Sequence, residues 1–229
     1  MKVGILCAGD REAAPFFSML DGDRVRERAM LRIHEGKMAG VETAVLYSGV
    51  CKVNAAIAAQ ILIGACGCGA VISAGTAGGM DEGLRVFDTA VCTECAYHDV
   101  AEGILTGFHP WMESVWFRSD ERLLDCAHKA LEDRQDVHFG RMVTGEQFIE
   151  DDRREEINRR FSPLTVDMES AAIAHVCFVN RIPFLAVRTI TDTAETVGRN
   201  AFEMNCSRAA EISAEAVRRI LAEMAADKR

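Results

Sequence analysis

The chain has 229 residues, 49% of them apolar, only 4 prolines and a formal net charge of −9. That composition can bury a large core and excludes a disordered chain, and the length suits one α/β domain over residues 1–229. The acidic balance, with no run of five basic residues, argues against nucleic acid and anionic membrane as partners, since both need a positive footprint.

The N-terminus, Met1-Lys2-Val3-Gly4-Ile5-Leu6, enters a strand-like run directly and carries no signal-peptide pattern. No stretch of about 18 apolar residues is present, so a cytoplasmic protein is expected. The nine cysteines are odd in number. Cys7, Cys66, Cys68, Cys92, Cys126 and Cys177 fall in apolar segments and read as small buried hydrophobes in a reducing compartment. A zinc site would draw on Cys92, Cys95, Cys66 and Cys68. A strand over 89–97, however, turns positions three apart to opposite faces, and no metal or cofactor is expected.

Residues 2–7 form an apolar run too short for a helix, and Ala8-Gly9-Asp10 is a turn that can cap a helix from Arg11. Residues 29–37 and 41–48 alternate as two strands joined at Ala39-Gly40. Lys52 to Ala65 is a helix apolar nearly all round, hence expected to be buried. Residues 70–74 form a buried strand that breaks at Gly75-Thr76-Ala77-Gly78-Gly79, and 86–97 form another. The stretch 100–118 has no period and carries Gly103, Gly107, Pro110, Trp111 and Trp116, as a functional loop does. A helix over 120–131, a strand over 137–143, a charged helix over 151–160 and a strand over 163–167 follow. Then come an alanine-rich helix over 169–179, a strand over 183–189 and an amphipathic helix from 200 to 226. Strands and helices alternating without a linker mean an α/β fold with a parallel or mixed sheet covered on both faces. Chemistry in such folds sits at strand ends, here 8–12, 74–79, 144–149, 167–169 and 188–192.

Those segments concentrate acids: Glu12, Glu169 and Asp192, with Arg188 beside the last. Hydrolysis of a glycosidic bond needs one carboxyl to protonate the leaving group and another to activate water around an oxocarbenium-like transition state. A purine can take its proton on the imidazole ring, and a third carboxylate can accept both sugar hydroxyls. Each acid also has a plain structural explanation. Glu12 suits the first turn of a helix, Asp192 can cap a loop, and Asp167 and Glu169 flank a strand-to-helix junction.

Seven short segments in one order resemble the 5′-methylthioadenosine/S-adenosylhomocysteine nucleosidases of the nucleoside phosphorylase superfamily. They are Met1 through Glu12, Ser48–Ala56, Ala74–Gly79, Tyr97-His98-Asp99-Val100, Thr144–Phe148, Val166–Ala174 and Val187–Asp192. The resemblance implies a three-layer αβα sandwich with a central mixed sheet, and hydrolysis of an adenine nucleoside to adenine and the 5-substituted ribose. It implies that Asp192 is the general acid and that Glu12 activates water with Arg188 nearby. Glu169 and the Met168 backbone would bind the ribose hydroxyls, Phe148 would stack on adenine and the Ile149 backbone would pair with its edge. Thr76 stands where the family usually has serine, and Phe202 where it places an aromatic near the 5′ substituent. A homodimer is implied too, as it is by the apolar helix at 52–65 and by Phe108, Trp111, Trp116 and Phe117 in the 101–117 loop.

The chain also departs from that family. Gly9 removes a side chain expected near the sugar, Cys51 replaces a usual glycine, Thr191 replaces a frequent serine, and residues 101–117 do not match the loop lining the 5′ pocket. A phosphorylase on the same fold is a rival, with Arg11 as a phosphate ligand, although Ile72-Ser73-Ala74 lacks the arginine usual before the Gly-Thr loop. A hydrolase of aminodeoxyfutalosine is a second rival, and a binding protein that has lost catalysis a third.

Overall fold

The structure, a computed structural model, describes residues 1–149, 151–195 and 199–227. The chain begins β1 (Val3–Cys7), α1 (Asp10–Ser18), β2 (Asp21–Arg28), β3 (Leu31–Met38), β4 (Val41–Tyr47), α2 (Lys52–Gly64) and β5 (Ala70–Gly79). It continues through β6 (Thr89–Tyr97), α3 (Ile104–Gly107), β7 (Phe117–Arg118), α4 (Glu121–Leu131) and β8 (Val137–Thr144). It closes with α5 (Asp151–Phe161), β9 (Thr165–Asp167), α6 (Ser170–Asn180), β10 (Phe184–Asp192) and α7 (Arg199–Ala226).

All ten strands belong to one mixed sheet. At its centre strands β4, β1, β5 and β10 pair in that order and run parallel to one another. Strands β5, β10, β6, β8 and β9 pair in turn and return to β5, so this half of the sheet curls into a closed ring. The other half is the antiparallel meander β4-β3-β2. Helices α1, α4 and α7 pack Phe16, Leu123, Val217 and Ile220 against one face, while α2 and α6 pack Leu62, Ala171 and Ile173 against the other. This is the expected three-layer arrangement. No helix among the described residues is long and apolar enough to cross a membrane.

Four local readings are corrected. Strand β2, Asp-Gly-Asp-Arg-Val-Arg-Glu-Arg, is almost wholly exposed and was not foreseen, because an edge strand guarded by charge shows no hydrophobic alternation. It joins β3 through Ala29 and Met30, both at positive φ, so the strand expected from residue 29 starts at 31. The glycine-rich run at 75–79 does not break its strand: β5 continues to Gly79, flanked by β10 and β9. Glycines in a strand mark close approach by neighbouring groups, as the site demonstrates. Finally, Cys92 and Cys95 do not face opposite sides. A bulge between Cys92 and Glu94 shifts the alternation, and both cysteines join the same buried cluster. All nine thiols are free.

The helix expected to be buried on nearly every face is buried on one. Within α2, Ala55, Ala58, Ala59 and Leu62 face inward, whereas Val53 is 70% and Ile57 47% exposed. The aromatic loop also divides. Phe117 is buried in β7, and Trp116 packs on Phe161 and under Arg141. Phe108 and Trp111 stay about two-thirds exposed, at 67% and 68%.

Candidate active site

Glu12 is the third residue of α1, so its side chain can turn back toward the helix start. Its Oε2 accepts hydrogen bonds from the Ala8 and Gly9 amides at 3.0 and 2.9 Å. That is the capping role its position allows. The other oxygen does something a cap does not require: Oε1 accepts from the Thr76 amide at 2.6 Å and from Thr76 Oγ1 at 2.8 Å. The buried carboxylate thus ties the end of β1 to the middle of β5. Gly75 makes room for it. Gly75 sits at φ +148°, and a Cβ there would overlap Glu12 Oε1 and lie 2.9 Å from Arg188 Nη1.

Arg188 lies in β10, fully buried, level with Gly75. Its Nε is 3.0 Å from Asp167 Oδ2 and donates to Ser170 Oγ at 3.2 Å. Its Nη2 donates to Ser73 Oγ at 2.9 Å and to Ser170 Oγ at 3.0 Å. Nη1 has no hydrogen-bond partner among the described residues. A buried donor left unpaired is costly, and this one lies beside Gly75, as Glu12 Oε1 does.

Asp167 collects most of the donors at this end: Thr144 Oγ1 at 2.6 Å, the Glu169 and Ser170 amides at 3.2 and 3.1 Å, and the Ser170 hydroxyl. Glu169, two residues on, receives the Cys51 amide at 3.0 Å and stands 3.9 Å from Arg188 Nη2. Burial pushes its pKa up to about 8; Arg188 opposes this and neighbouring Asp167 reinforces it. The Cys51 amide reaches Glu169 because Cys51 has φ +82°, a backbone that explains why glycine is expected there.

Asp192 ends β10 at a bulge, opposite Gly78. A Cβ on Gly78 would lie 3.2 Å from Asp192 Oδ2. The Asp192 carboxyl is buried and, among the described residues, accepts one hydrogen bond, from Thr191 Oγ1 at 2.8 Å. Burial raises its pKa, against lesser lowering by Thr191 and by Arg154. Glu12 and Asp192 therefore both approach β5, beside glycines three residues apart along that strand, a rise of roughly 10 Å.

The remaining expected residues rim this line. Thr76 holds Glu12. Met168 is half-buried between Asp167 and Glu169. Phe148 is 41% exposed, while Ile149 is buried against Val143, Val166 and Ile157. Phe202, in the first turns of α7, is half-buried, with the Arg11 guanidinium 5.7 Å above its ring.

Other participants were not singled out from sequence. Asp167, Ser73, Ser170 and Thr144 form the frame around Arg188, and buried Arg154 donates to the Gly79 carbonyl. A clamp joins the segment carrying Phe148 to the start of α2. Asp99 accepts from Lys52 Nζ at 2.9 Å and from the Glu146 amide at 3.0 Å, while Glu146 accepts from the Lys52 amide at 3.0 Å. All three residues lie inside the segments that carry the family resemblance; that was the available signal.

Comparison with known proteins identifies relatives of the whole chain. The model of the phosphorylase superfamily matches residues 2–222. A 5′-methylthioadenosine/S-adenosylhomocysteine nucleosidase of Actinobacillus succinogenes is 36% identical over 98% of this chain and 100% of its own length. The structure of the Streptococcus pneumoniae nucleosidase of that name, solved with a transition-state inhibitor, superposes with a TM-score of 0.90 at 29% identity, covering 98% of this chain and 100% of that one. A futalosine hydrolase of Helicobacter pylori shares the fold at a TM-score of 0.88 and 26% identity, over 97% of this chain and 98% of its own. This chain belongs to the phosphorylase superfamily, among its 5′-methylthioadenosine/S-adenosylhomocysteine nucleosidases.

Proposed function

We propose that the protein hydrolyses the N-glycosidic bond of 5′-methylthioadenosine and S-adenosylhomocysteine, releasing adenine and the 5-substituted ribose. The carrying observation is the pair of buried carboxyls over β5, Glu12 at Gly75 and Asp192 at Gly78. Asp192 delivers its proton to the imidazole ring of the purine, a task suited to a carboxyl whose pKa burial has raised. At the other end Glu12 orients and deprotonates water, and the unpaired Arg188 Nη1 donates to that water or to the sugar. Glu169 accepts the ribose hydroxyls, with the Met168 backbone beside it. Phe148 stacks on adenine, the Ile149 backbone pairs with the base edge, and Phe202 borders the 5′ substituent.

Water rather than phosphate fits the occupancy of the Gly-Thr segment. A phosphate needs converging donors, but Glu12 already takes both the Thr76 amide and its hydroxyl. A second anion there would face a carboxylate. Purified protein supplied with 5′-methylthioadenosine is expected to release free adenine; absence of adenine overturns the reading.

The working unit is a homodimer of one-domain subunits in the cytoplasm. Val53 and Ile57 on α2, with Phe178 on α6 and Phe108 and Trp111 in the 101–117 loop, are large exposed apolar side chains of the kind an interface covers. The nine free thiols suit a reducing compartment. Light scattering at micromolar concentration is expected to give twice the 25.1 kDa of one chain; a mass of one chain contradicts the dimer.

A further inference from the structure

Beside Glu12, the start of α1 carries an ion pair to α7 that hydrolysis itself does not use. Arg11 follows the β1–α1 turn immediately before Glu12, and Glu203 follows Phe202 in α7. Arg11 Nη2 meets Glu203 Oε2 at 2.5 Å and Nη1 meets the Glu203 carbonyl at 3.4 Å. The guanidinium also lies over the Phe202 ring. One turn further along α7, Asn205 donates to the Thr191 carbonyl at 2.8 Å, which seats this part of the helix beside the end of β10. The pair therefore bridges two elements across the sugar end of the site.

In the orientation proposed above, the base lies toward Asp192 and the anomeric carbon near Glu12. The 5′ carbon leaves the ribose on the side away from the base, toward this pair. We infer that Arg11 and Glu203 form a subsite for a zwitterionic α-amino acid at the end of the 5′ substituent, and so favour S-adenosylhomocysteine over 5′-methylthioadenosine. The inference rests on the nucleosidase reading. A homocysteine tail ends in one carboxylate and one ammonium; Arg11 offers donors to the first and Glu203 accepts from the second. Both side chains are nearly half exposed, at 42% and 49%, and an exposed pair of this kind is held weakly. A ligand carrying both charges can insert and close an alternating square of four charges, so neither protein group loses its partner. The guanidinium keeps further N–H donors for a bidentate carboxylate contact. Gly9, without a side chain beside Arg11, leaves the approach open, whereas a methylthio group offers the pair nothing.

The test is the ratio of kcat/KM for S-adenosylhomocysteine to that for 5′-methylthioadenosine, measured on the unmodified protein, Arg11→Met and Glu203→Gln. The ratio is expected to fall about tenfold in each variant, the size of one charge-assisted contact. Turnover of 5′-methylthioadenosine by the same preparation reports that the variant is folded. A 5′-thioadenosine derivative whose tail bears a carboxylate but no ammonium is expected to depend on Arg11 and not on Glu203. Ratios within about twofold of the unmodified protein, below the energy of any such contact, overturn the subsite. So does a ratio that responds to Arg11→Met alone, which leaves a plain carboxylate tail as the better fit. If the unmodified protein releases adenine from neither nucleoside, the nucleosidase reading fails first and the subsite with it.

Discussion

The two ends of the site solve opposite problems. At the sugar end, carboxylates and cation are crowded and heavily bonded, with Arg188 Nη1 the free donor among the described residues. Glu12 accepts four hydrogen bonds, Asp167 accepts four and also meets Arg188, and the guanidinium is held by two serines as well. At the base end, Asp192 has a single hydrogen-bond partner among the described residues, the adjacent threonine. Dense bonding fixes direction: Glu12 and Arg188 cannot swing away from the position above Gly75. Sparse bonding does something different. A buried carboxyl with one neutral donor holds its proton readily, and a leaving purine needs that proton. The difference is the physical ground for proposing different tasks for acids alike in sequence.

Breaking the sparse end has the largest expected effect. Asp192→Asn keeps the shape and the Thr191 contact but has no acidic proton, and is expected to lower kcat by about 100-fold or more. Circular dichroism should be unchanged. A loss of only about threefold, far below general-acid values, would show that the purine obtains its proton elsewhere.

Breaking the densely bonded end costs both rate and order. Glu12→Gln replaces an acceptor with an amide group facing backbone donors, so kcat is expected to drop by roughly 100-fold and stability by about 1–3 kcal/mol. Adenine affinity, measured by calorimetry, should be retained because the base sits at the other end. An affinity that fell as far as the rate would make Glu12 a binding residue.

A smaller effect is expected from the clamp that joins the ends. Asp99→Asn weakens the tie between Lys52 and the Glu146 amide, loosening the Phe148 segment relative to the start of α2. KM is expected to rise up to about tenfold with kcat changed less than about twofold, as for the loss of one charge-assisted hydrogen bond. Steady-state kinetics separate this from a catalytic role, in which kcat would carry the loss.

The smallest effect concerns stability and pH. The Glu169 pKa is raised from 4.5 to about 8, so the folded chain holds this proton more tightly than the unfolded chain. Its stabilising contribution is complete below about pH 4.5 and is lost as pH rises toward about 8. Glu169→Gln removes that dependence, and at pH 7–8 the variant is expected to be more stable by about 1 kcal/mol, or 2–4 °C for a chain this size. Equal melting temperatures at pH 5 and pH 8 for parent and variant alike would contradict the assignment.

The sequence made the alternation of strands and helices readable because buried parallel strands are continuous apolar runs, as in Val3–Cys7. It hid β2, whose charges protect an edge, and it disguised β5, where Gly75, Gly78 and Gly79 admit side chains of neighbouring elements. The bulge that brings Cys92 and Cys95 to one side has no local marker at all. Glu12, Glu169 and Asp192 stood out by their places at strand ends, yet spacing could not distinguish them from caps; family resemblance made that choice. The frame of Asp167, Ser73 and Ser170 stayed unseen because Ser73 and Arg188 reach the Asp167–Ser170 turn from strands distant in the chain. Phe117 was read with the exposed aromatics, because a two-residue strand is too short to display a period.

The contrast between a proton-holding end and a water-directing end is tested most directly by the dependence of adenine release on phosphate. With 5′-methylthioadenosine as substrate, the rate should be the same without phosphate and with phosphate in the millimolar range, and the sugar product should be free 5-methylthioribose. A rate that vanishes without phosphate and saturates as it is added, with a ribose 1-phosphate as product, would place phosphate where Glu12 directs water and would contradict the account.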